Sequence, residues 1–252
     1  METSILENSK IKLTDILTKN KLLDAHLSVL VKTLTPEEAI GEPGRRDFPI
    51  ILGKERVLEA DVLGARVHVF TDSPVEFMGD LQSVLNLPLT SNRERSIYVS
   101  ALNVVLKYLN RIEKTIHCRD EYPERCGKEI ASQLLERYGK TEVGIIGLNP
   151  AIAENLIETF GAENVRITDL NKQNIHSFKY GVKIWDGKEM TEELIKQSDV
   201  ILVTGTTLVN GTFDHIMQCV RNFRKDYLIF GVTGAGICKL MGLNSICPYG
   251  RI

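Results

Sequence analysis

Val200-Ile201-Leu202-Val203 runs into Thr204-Gly205-Thr206-Thr207-Leu208-Val209-Asn210-Gly211-Thr212, and then into Phe213-Asp214-His215-Ile216-Met217. The fold turns on this stretch. Four apolar residues in a row read as a buried strand, and the apolar spacing from Phe213 reads as a helix with Thr212 as its N-cap. Between them lies a loop of small hydroxyl and amide residues. A strand, a polar loop and a helix N-terminus together make a ligand site in α/β proteins. The loop supplies backbone N–H groups and short polar side chains, and the helix end adds partial positive charge.

The same rhythm spreads outward on both sides. Upstream, Glu142 to Gly147 is a short apolar strand, and Pro150 opens a helix over Ala151 to Phe160. Val165 to Thr168 is a strand ending at Asp169, Val182 to Trp185 is another, and Thr191-Glu192-Glu193 starts a helix with a hydroxyl N-cap and an acidic first turn. Downstream, a helix from Thr212 to about Arg224 leads to a strand at Tyr227 to Gly231, and Thr233-Gly234-Ala235-Gly236 follows it. This alternation predicts a mostly parallel sheet covered on both faces. Three polar loops then share the carboxyl edge of that sheet. The expected ligand-binding residues are Gly147, Asn149, Asp169, Thr204, Gly205, Thr206, Thr207, Asn210, Gly211, Thr212 and Thr233.

The first half is mixed. Ile11 to Leu34 has apolar positions at helical spacing, Arg56 to Thr71 reads as a hairpin around Leu63-Gly64, and Pro74 to Leu85 and Arg93 to Leu109 read as helices. The reading is an α+β domain over residues 1–115 followed by an α/β domain over 116–252. The breaker-rich loop Gly41 to Pro49 carries Arg45, Arg46 and Asp47, which either close over the site or form an ion-paired surface loop. His26 and His68 have no partner pattern and read as structural or exposed.

Composition sets outer limits. The charge of −2 gives no basic footprint for nucleic acid, and no apolar run approaches the ~20 residues of a membrane span. The N-terminus lacks a basic stretch followed by an apolar one, so the expectation is a cytoplasmic protein. Five cysteines suit free thiols or metal ligands better than a disulfide framework. Cys219 and Cys238 read as core residues. His117-Cys118-Arg119-Asp120-Glu121-Tyr122-Pro123-Glu124-Arg125-Cys126 gathers thiols, an imidazole and carboxylates, and the candidate metal ligands are His117, Cys118, Glu121 and Cys126. The bland alternative is a connecting loop whose cysteines pack and whose Glu124 caps the next helix.

Gly147-Leu148-Asn149-Pro150-Ala151-Ile152 sits where a dinucleotide fold has its phosphate loop, and Asp169 follows Gly147 by 22 residues. Only the first glycine of that fingerprint is present, so a standard NAD site is disfavoured.

Taken together, Arg46-Asp47-Phe48-Pro49 with Gly53-Lys54-Glu55, Phe70-Thr71-Asp72-Ser73-Pro74, Ala101-Leu102-Asn103, His117-Cys118 with Pro123 to Cys126, Val165 to Asn171, Tyr180 to Gly187, Thr204 to Thr212 and Cys247 to Arg251 resemble a prokaryotic family of unknown function named for heavy-metal chelation. The resemblance implies an enolase N-terminal-like domain joined to a Rossmann-like domain. It also implies a transition metal as ligand, with a link to metal uptake or anaerobic cobalamin synthesis. The leading expectation is a protein that binds a metal ion or a metal-bearing small molecule between its domains. A transferase with an adenosine-containing cofactor over Gly147 and Asp169 is one alternative, and a non-catalytic anion-sensing module is another. No nucleic-acid or membrane partner is expected, and a homo-oligomer stays open.

Overall fold

The computed structural model describes residues 3–23, 28–53 and 55–252. His26 and Leu27 of the first expected helix, and Lys54, lie outside the described residues. Among those described, no helix is long and apolar enough to cross a membrane.

The chain opens with α1 (Ile5–Lys19), capped by Ser4, whose hydroxyl accepts the Glu7 N–H. The expected helix to Leu34 is overturned: Ser28–Leu34 is a strand, β1, with exposed and buried residues alternating from Ser28 to Lys32. Leucines spaced three and four apart mimic a helix, but Val29, Val31 and Thr33 are β-branched, and inward-facing Val29 and Val31 fit a half-buried sheet. A short helix α2 (Pro36–Ile40) follows, closed by a Thr35–Glu38 capping box. The hairpin forms as read, with β2 (Arg56–Val62) antiparallel to β3 (Ala65–Thr71). Pro74 to Leu85 is not one helix: β4 (Phe77–Asp80) precedes a single short helix, α3 (Leu81–Leu85), capped by Asp80. The four strands make a sheet in the order β3-β2-β1-β4. Helix α4 (Asn92–Tyr108) lies against it, and every residue from Ser96 to Leu106 is buried. A helix buried all round must be covered on its far side too.

That cover comes from the second half of the chain. There follow α5 (Tyr122–Tyr138), β5 (Val143–Ile146), α6 (Pro150–Phe160), β6 (Val165–Asp169), β7 (Phe178–Lys179), β8 (Val182–Asp186), α7 (Thr191–Gln197) and β9 (Val200–Thr204). The chain ends with α8 (Thr207–Asn210), α9 (Phe213–Asn222), β10 (Asp226–Phe230), α10 (Ala235–Met241) and β11 (Ser245–Ile246). The sheet order is β11-β10-β9-β5-β6-β8-β7, parallel except for the β7–β8 pair. Two details differ from expectation. Met190, not Thr191, is the N-cap of α7, and the Thr191 hydroxyl donates to the Gly187 carbonyl. Thr212 makes no cap bond, because its hydroxyl donates to Asn210 Oδ1.

One core, holding Ile130, Leu134, Leu156 and Phe160, fills the space between α5, α6 and one face of the parallel sheet. A second runs continuously from the small sheet through α4 to Leu208, Ile216 and Ile237 beside the opposite face, and a small third one packs Ile40, Phe48 and Ile50 with Ala151 of α6. The two sheets therefore share apolar packing, and α4 is the layer between them.

Candidate functional site

The carboxyl ends of β5, β6, β9 and β10 open into a cavity of about 1060 Å³ whose opposite wall comes from the small sheet and the segment before α5. Every residue of the expected ligand-binding set lines it: Gly147, Asn149, Asp169, Thr204 to Thr207, Asn210 to Thr212, and Thr233. Parallel register explains the convergence. Ile146 lies beside both Thr168 and Val203, and Thr204 lies beside Phe230, so all four loops leave the sheet at one level.

The loop side chains bond mostly to each other. The Thr204 and Thr206 hydroxyls are 3.1 Å apart, and the Thr207 hydroxyl donates to the Thr204 carbonyl at 2.7 Å. Asn210 Oδ1 accepts from both the N–H and the hydroxyl of Thr212. Asn149 caps α6 by accepting the Ile152 N–H, and Asp169 accepts from Leu148 N–H at 2.9 Å and Asn171 N–H at 2.6 Å. Thr233 accepts the Phe70 N–H across the cavity wall, tying the two halves together. These side chains hold the loops in shape. Gly147 is required by the same geometry: φ is +90°, and an added Cβ would lie 2.4 Å from Thr204 Cγ2.

Two carboxylates in the cavity wall went unread as chemistry in the sequence: Glu55, just before β2, and Asp72, just after β3. Because Arg56 pairs with Thr71, these two residues flank the open end of the hairpin. That register was countable from the Leu63-Gly64 turn. Burial, then the charges of Asp169 and Asp72, push the Glu55 carboxyl up to about 7. Burial also raises Asp169, against the pull of its N–H donors. The exposed lysines Lys172 and Lys188 stand at the rim, and so does exposed His215, with Nε2 3.8 Å from Cys219 Sγ. His117 Nδ1 and Thr168 Oγ1 are buried without hydrogen-bond partners, and both residues line the cavity. Burial holds His117 down to about 4, helped by the charges of His68 and Arg251, so its ring is neutral at pH 7. His68 is buried, accepts the His117 N–H and faces Glu59 at 3.6 Å.

The expected metal ligands are not gathered into one centre. Among the described residues, no group of three or more His, Cys, Asp or Glu side chains is arranged to hold a metal ion. Glu121 pairs instead with Arg125 at 3.4 Å. Cys118 Sγ lies 4.0 Å from His117 Nε2, and the neighbouring Cys126 thiol, ahead of burial, raises Cys118 while Cys118 lowers Cys126. Cys219 and Cys238 are buried in the core as expected.

The loop from Gly41 to Pro49 is an ion-paired clasp beside the cavity. Arg45 bonds to Asp47 at 2.6 Å, Glu124 at 2.9 Å, Glu154 at 3.0 Å and the Tyr180 hydroxyl at 2.6 Å. Phe48 and Pro49, which follow it, line the cavity.

No curated protein matches the sequence. The fold is similar to that of a DUF364-family protein of unknown function from Pyrococcus horikoshii, with a TM-score of 0.54 and 15% identity over 92% of this chain and 80% of that one. A second DUF364-family protein of unknown function, from Desulfitobacterium hafniense DCB-2, aligns at a TM-score of 0.48 and 15% identity, over 74% of this chain and 72% of that one. The profile of the DUF364 family, described as "Putative heavy-metal chelation", matches residues 130–235, the segment that carries β5 to β10 and all the strand-end loops of the cavity.

Proposed function

We propose that the protein binds a metal-bearing small molecule in the cavity between its two sheets. The observation that carries this is the cavity itself. At about 1060 Å³ it matches the upper end of small-molecule sites and is far too large for a bare ion. The absence of a ligating cluster among the described residues argues the same way. The family description supplies the metal, and Glu55, Asp72 and Asp169 supply an acidic wall suited to a ligand with cationic character.

In this reading the Thr204 to Thr212 loop, Asn149 and Thr233 shape the site, while Glu55 and the unpartnered His117 Nδ1 and Thr168 Oγ1 meet the ligand. The architecture we infer is a Rossmann-like domain over 116–252 and an enolase N-terminal-like domain over 1–115. The order β8-β6-β5-β9-β10-β11 supports the former, since it is that of a doubly wound sheet with its switch point between β5 and β9. An adenosine-containing cofactor is less well supported. It would need Asp169 for a ribose, and both oxygens of that carboxylate already accept backbone N–H groups.

Thermal melts and calorimetry with three probes test the proposal: cobinamide as a metal-bearing molecule, cobalt(II) chloride and adenosine. Cobinamide at a hundredfold excess over its Kd should stabilise the protein by about 2.7 kcal/mol, and Glu55→Gln should weaken the effect. Stabilisation by the bare ion alone, or by adenosine alone, would overturn it.

A further inference from the structure

Three carboxamides stand at the carboxyl edge of the parallel sheet, on three different loops: Asn149 after β5, Asn171 after β6 and Asn210 after β9. In each, the side-chain oxygen is taken by a backbone N–H of the same loop. Asn149 Oδ1 accepts from Ile152 at 3.2 Å, Asn171 Oδ1 from Gln173 at 3.0 Å, and Asn210 Oδ1 from Thr212 at 3.1 Å. An N–H can donate only to the oxygen, so these bonds fix which end of each amide is the NH2 group. Among the described residues, none of the three NH2 groups meets an acceptor. All three residues are half-buried and line the cavity. Asn92 is the contrast: it lines the cavity too, but its NH2 group serves Asp72 and its oxygen accepts from Arg95. Thr168 Oγ1 at the end of β6 is fully buried, lines the same wall and is also without a partner. Polar groups left open on one wall of a cavity point to a ligand that brings acceptors.

The charge around them narrows the class. Asp169 accepts two backbone N–H groups, and Asp72 accepts from the Asn92 NH2 group and the Ser73 hydroxyl, bonds that favour the charged carboxylates. Lys172 and Lys188 are exposed at the rim, where water screens them. A free polycarboxylate would therefore meet like charge in a partly desolvated cavity. A carboxylate bound to a metal ion through one oxygen keeps its other oxygen as an acceptor, and the metal offsets its charge. We propose that the ligand is a metal chelate built on carboxylates, and that the NH2 groups of Asn149, Asn171 and Asn210 donate to its outward oxygens. This rests on the reading of the cavity as the site of a metal-bearing molecule. It adds a choice to that reading: the cavity takes the loaded chelate and turns away the empty chelator.

Calorimetry on the full-length protein tests this with three probes. The complex (nitrilotriacetato)(ethylenediamine)cobalt(III) is neutral, inert to ligand exchange and rich in metal-bound carboxylates. Tris(ethylenediamine)cobalt(III) is an equally inert trication with no carboxylate, and metal-free nitrilotriacetate is the empty chelator. The neutral chelate should bind at least about tenfold more tightly than either of the others, the size of one or two hydrogen bonds. Asn149→Asp, Asn171→Asp and Asn210→Asp keep the oxygen that holds the loop and replace the donor with a second acceptor. Each should weaken the neutral chelate roughly 3–30-fold and strengthen the trication, because each adds a negative charge. A damaged fold would weaken both probes, so the opposite signs identify the donor. Where circular dichroism shows that a variant has not folded, the ranking of the probes on the wild type decides. Tightest binding by the trication, or equal binding of the empty and loaded chelator, would overturn the proposal. So would folded Asp variants that hold the neutral chelate as the wild type does. If all three probes fail while cobinamide binds, the proposal falls and the cavity reading stands. If cobinamide fails too, both fall.

Discussion

At the scale of single residues, Glu55 and His117 pull stability in opposite directions with pH. Glu55 titrates near 7 in the folded protein against an ordinary 4.5, so the folded state holds its proton more tightly. The stability this gives is full below about pH 4.5 and is lost as pH rises through 7, a difference on the order of 2–3 kcal/mol. His117, held near 4 against an ordinary 6.5, does the reverse: its share is full above 6.5 and is lost as pH falls through 4. The two slopes offset each other between pH 4.5 and 6.5, so a wild-type profile alone shows neither. Subtraction isolates one of them. Urea unfolding of Glu55→Gln and wild type at pH 4.5 and pH 8 should show the variant gaining roughly 2–3 kcal/mol on the wild type as pH rises. A gap that does not change with pH would mean that Glu55 is well solvated. Glu55 did not stand out by residue type, and His117 did so only as an expected metal ligand. Glu55 becomes unusual because the fold buries it in the cavity wall, where Asp169 and Asp72 add to the effect of burial.

At the scale of elements, legibility followed the strength of the local pattern. β5, β6, β9 and β10 are short apolar runs, each flanked by polar or glycine-containing loops, and all four were readable within a residue or two. β1 was not, because leucine spacing over a short segment fits both periods, and only its long-range pairing with β2 and β4 decides between them. The Thr204 to Thr212 loop lines the cavity, as its position after a buried strand implied, but differs from the reading in detail. It contains the single turn α8, and Thr207 is buried with its hydroxyl bonded to Thr204 O, so Thr207 shapes the loop. The turn after β5 makes a sharper test. Gly147→Ala would force a Cβ onto a residue at φ +90°, 2.4 Å from Thr204 Cγ2. It should cost about 2–4 kcal/mol, combining backbone strain with the clash. Adding Thr204→Ser removes the clashing methyl, so the double variant should recover part of the loss in denaturant unfolding. Recovery of all of it would show that the φ value carries no cost, and recovery of none would show that the clash does not matter.

At the scale of the whole molecule, the decisive feature is how two sheets come to face one cavity, and local patterns do not encode it. α4 looks like an ordinary amphipathic helix in sequence, yet it is buried on every side because it serves both sheets at once. The Asn103 side chain on α4 donates to Thr233 O and accepts the Gly236 N–H, so the helix fixes the loop after β10 directly. On the other side of the cavity the closure rests on Arg45. Its side chain is 14% exposed, and it reaches carboxylates on its own loop, on α5 and on α6. Its carboxylate partners are 38–39% exposed, so each pair alone is screened toward the value of about 1 kcal/mol or less of a surface pair, and the cluster differs in holding three of them on one largely buried guanidinium. A guanidinium serves several acceptors in one plane while its face lies 5.7 Å from the centres of the Phe48 and Tyr180 rings, and an ammonium cannot do both. Arg45→Lys should therefore cost roughly 1–3 kcal/mol despite keeping the charge. It should also speed proteolytic cleavage between Gly41 and Gly53 while cleavage elsewhere stays slow. If Arg45→Lys melts like the wild type and is cut no faster in that loop, Arg45 does not hold the two walls of the cavity together, and the packing of Phe48 and Ile50 against Ala151 and of α4 between the sheets suffices.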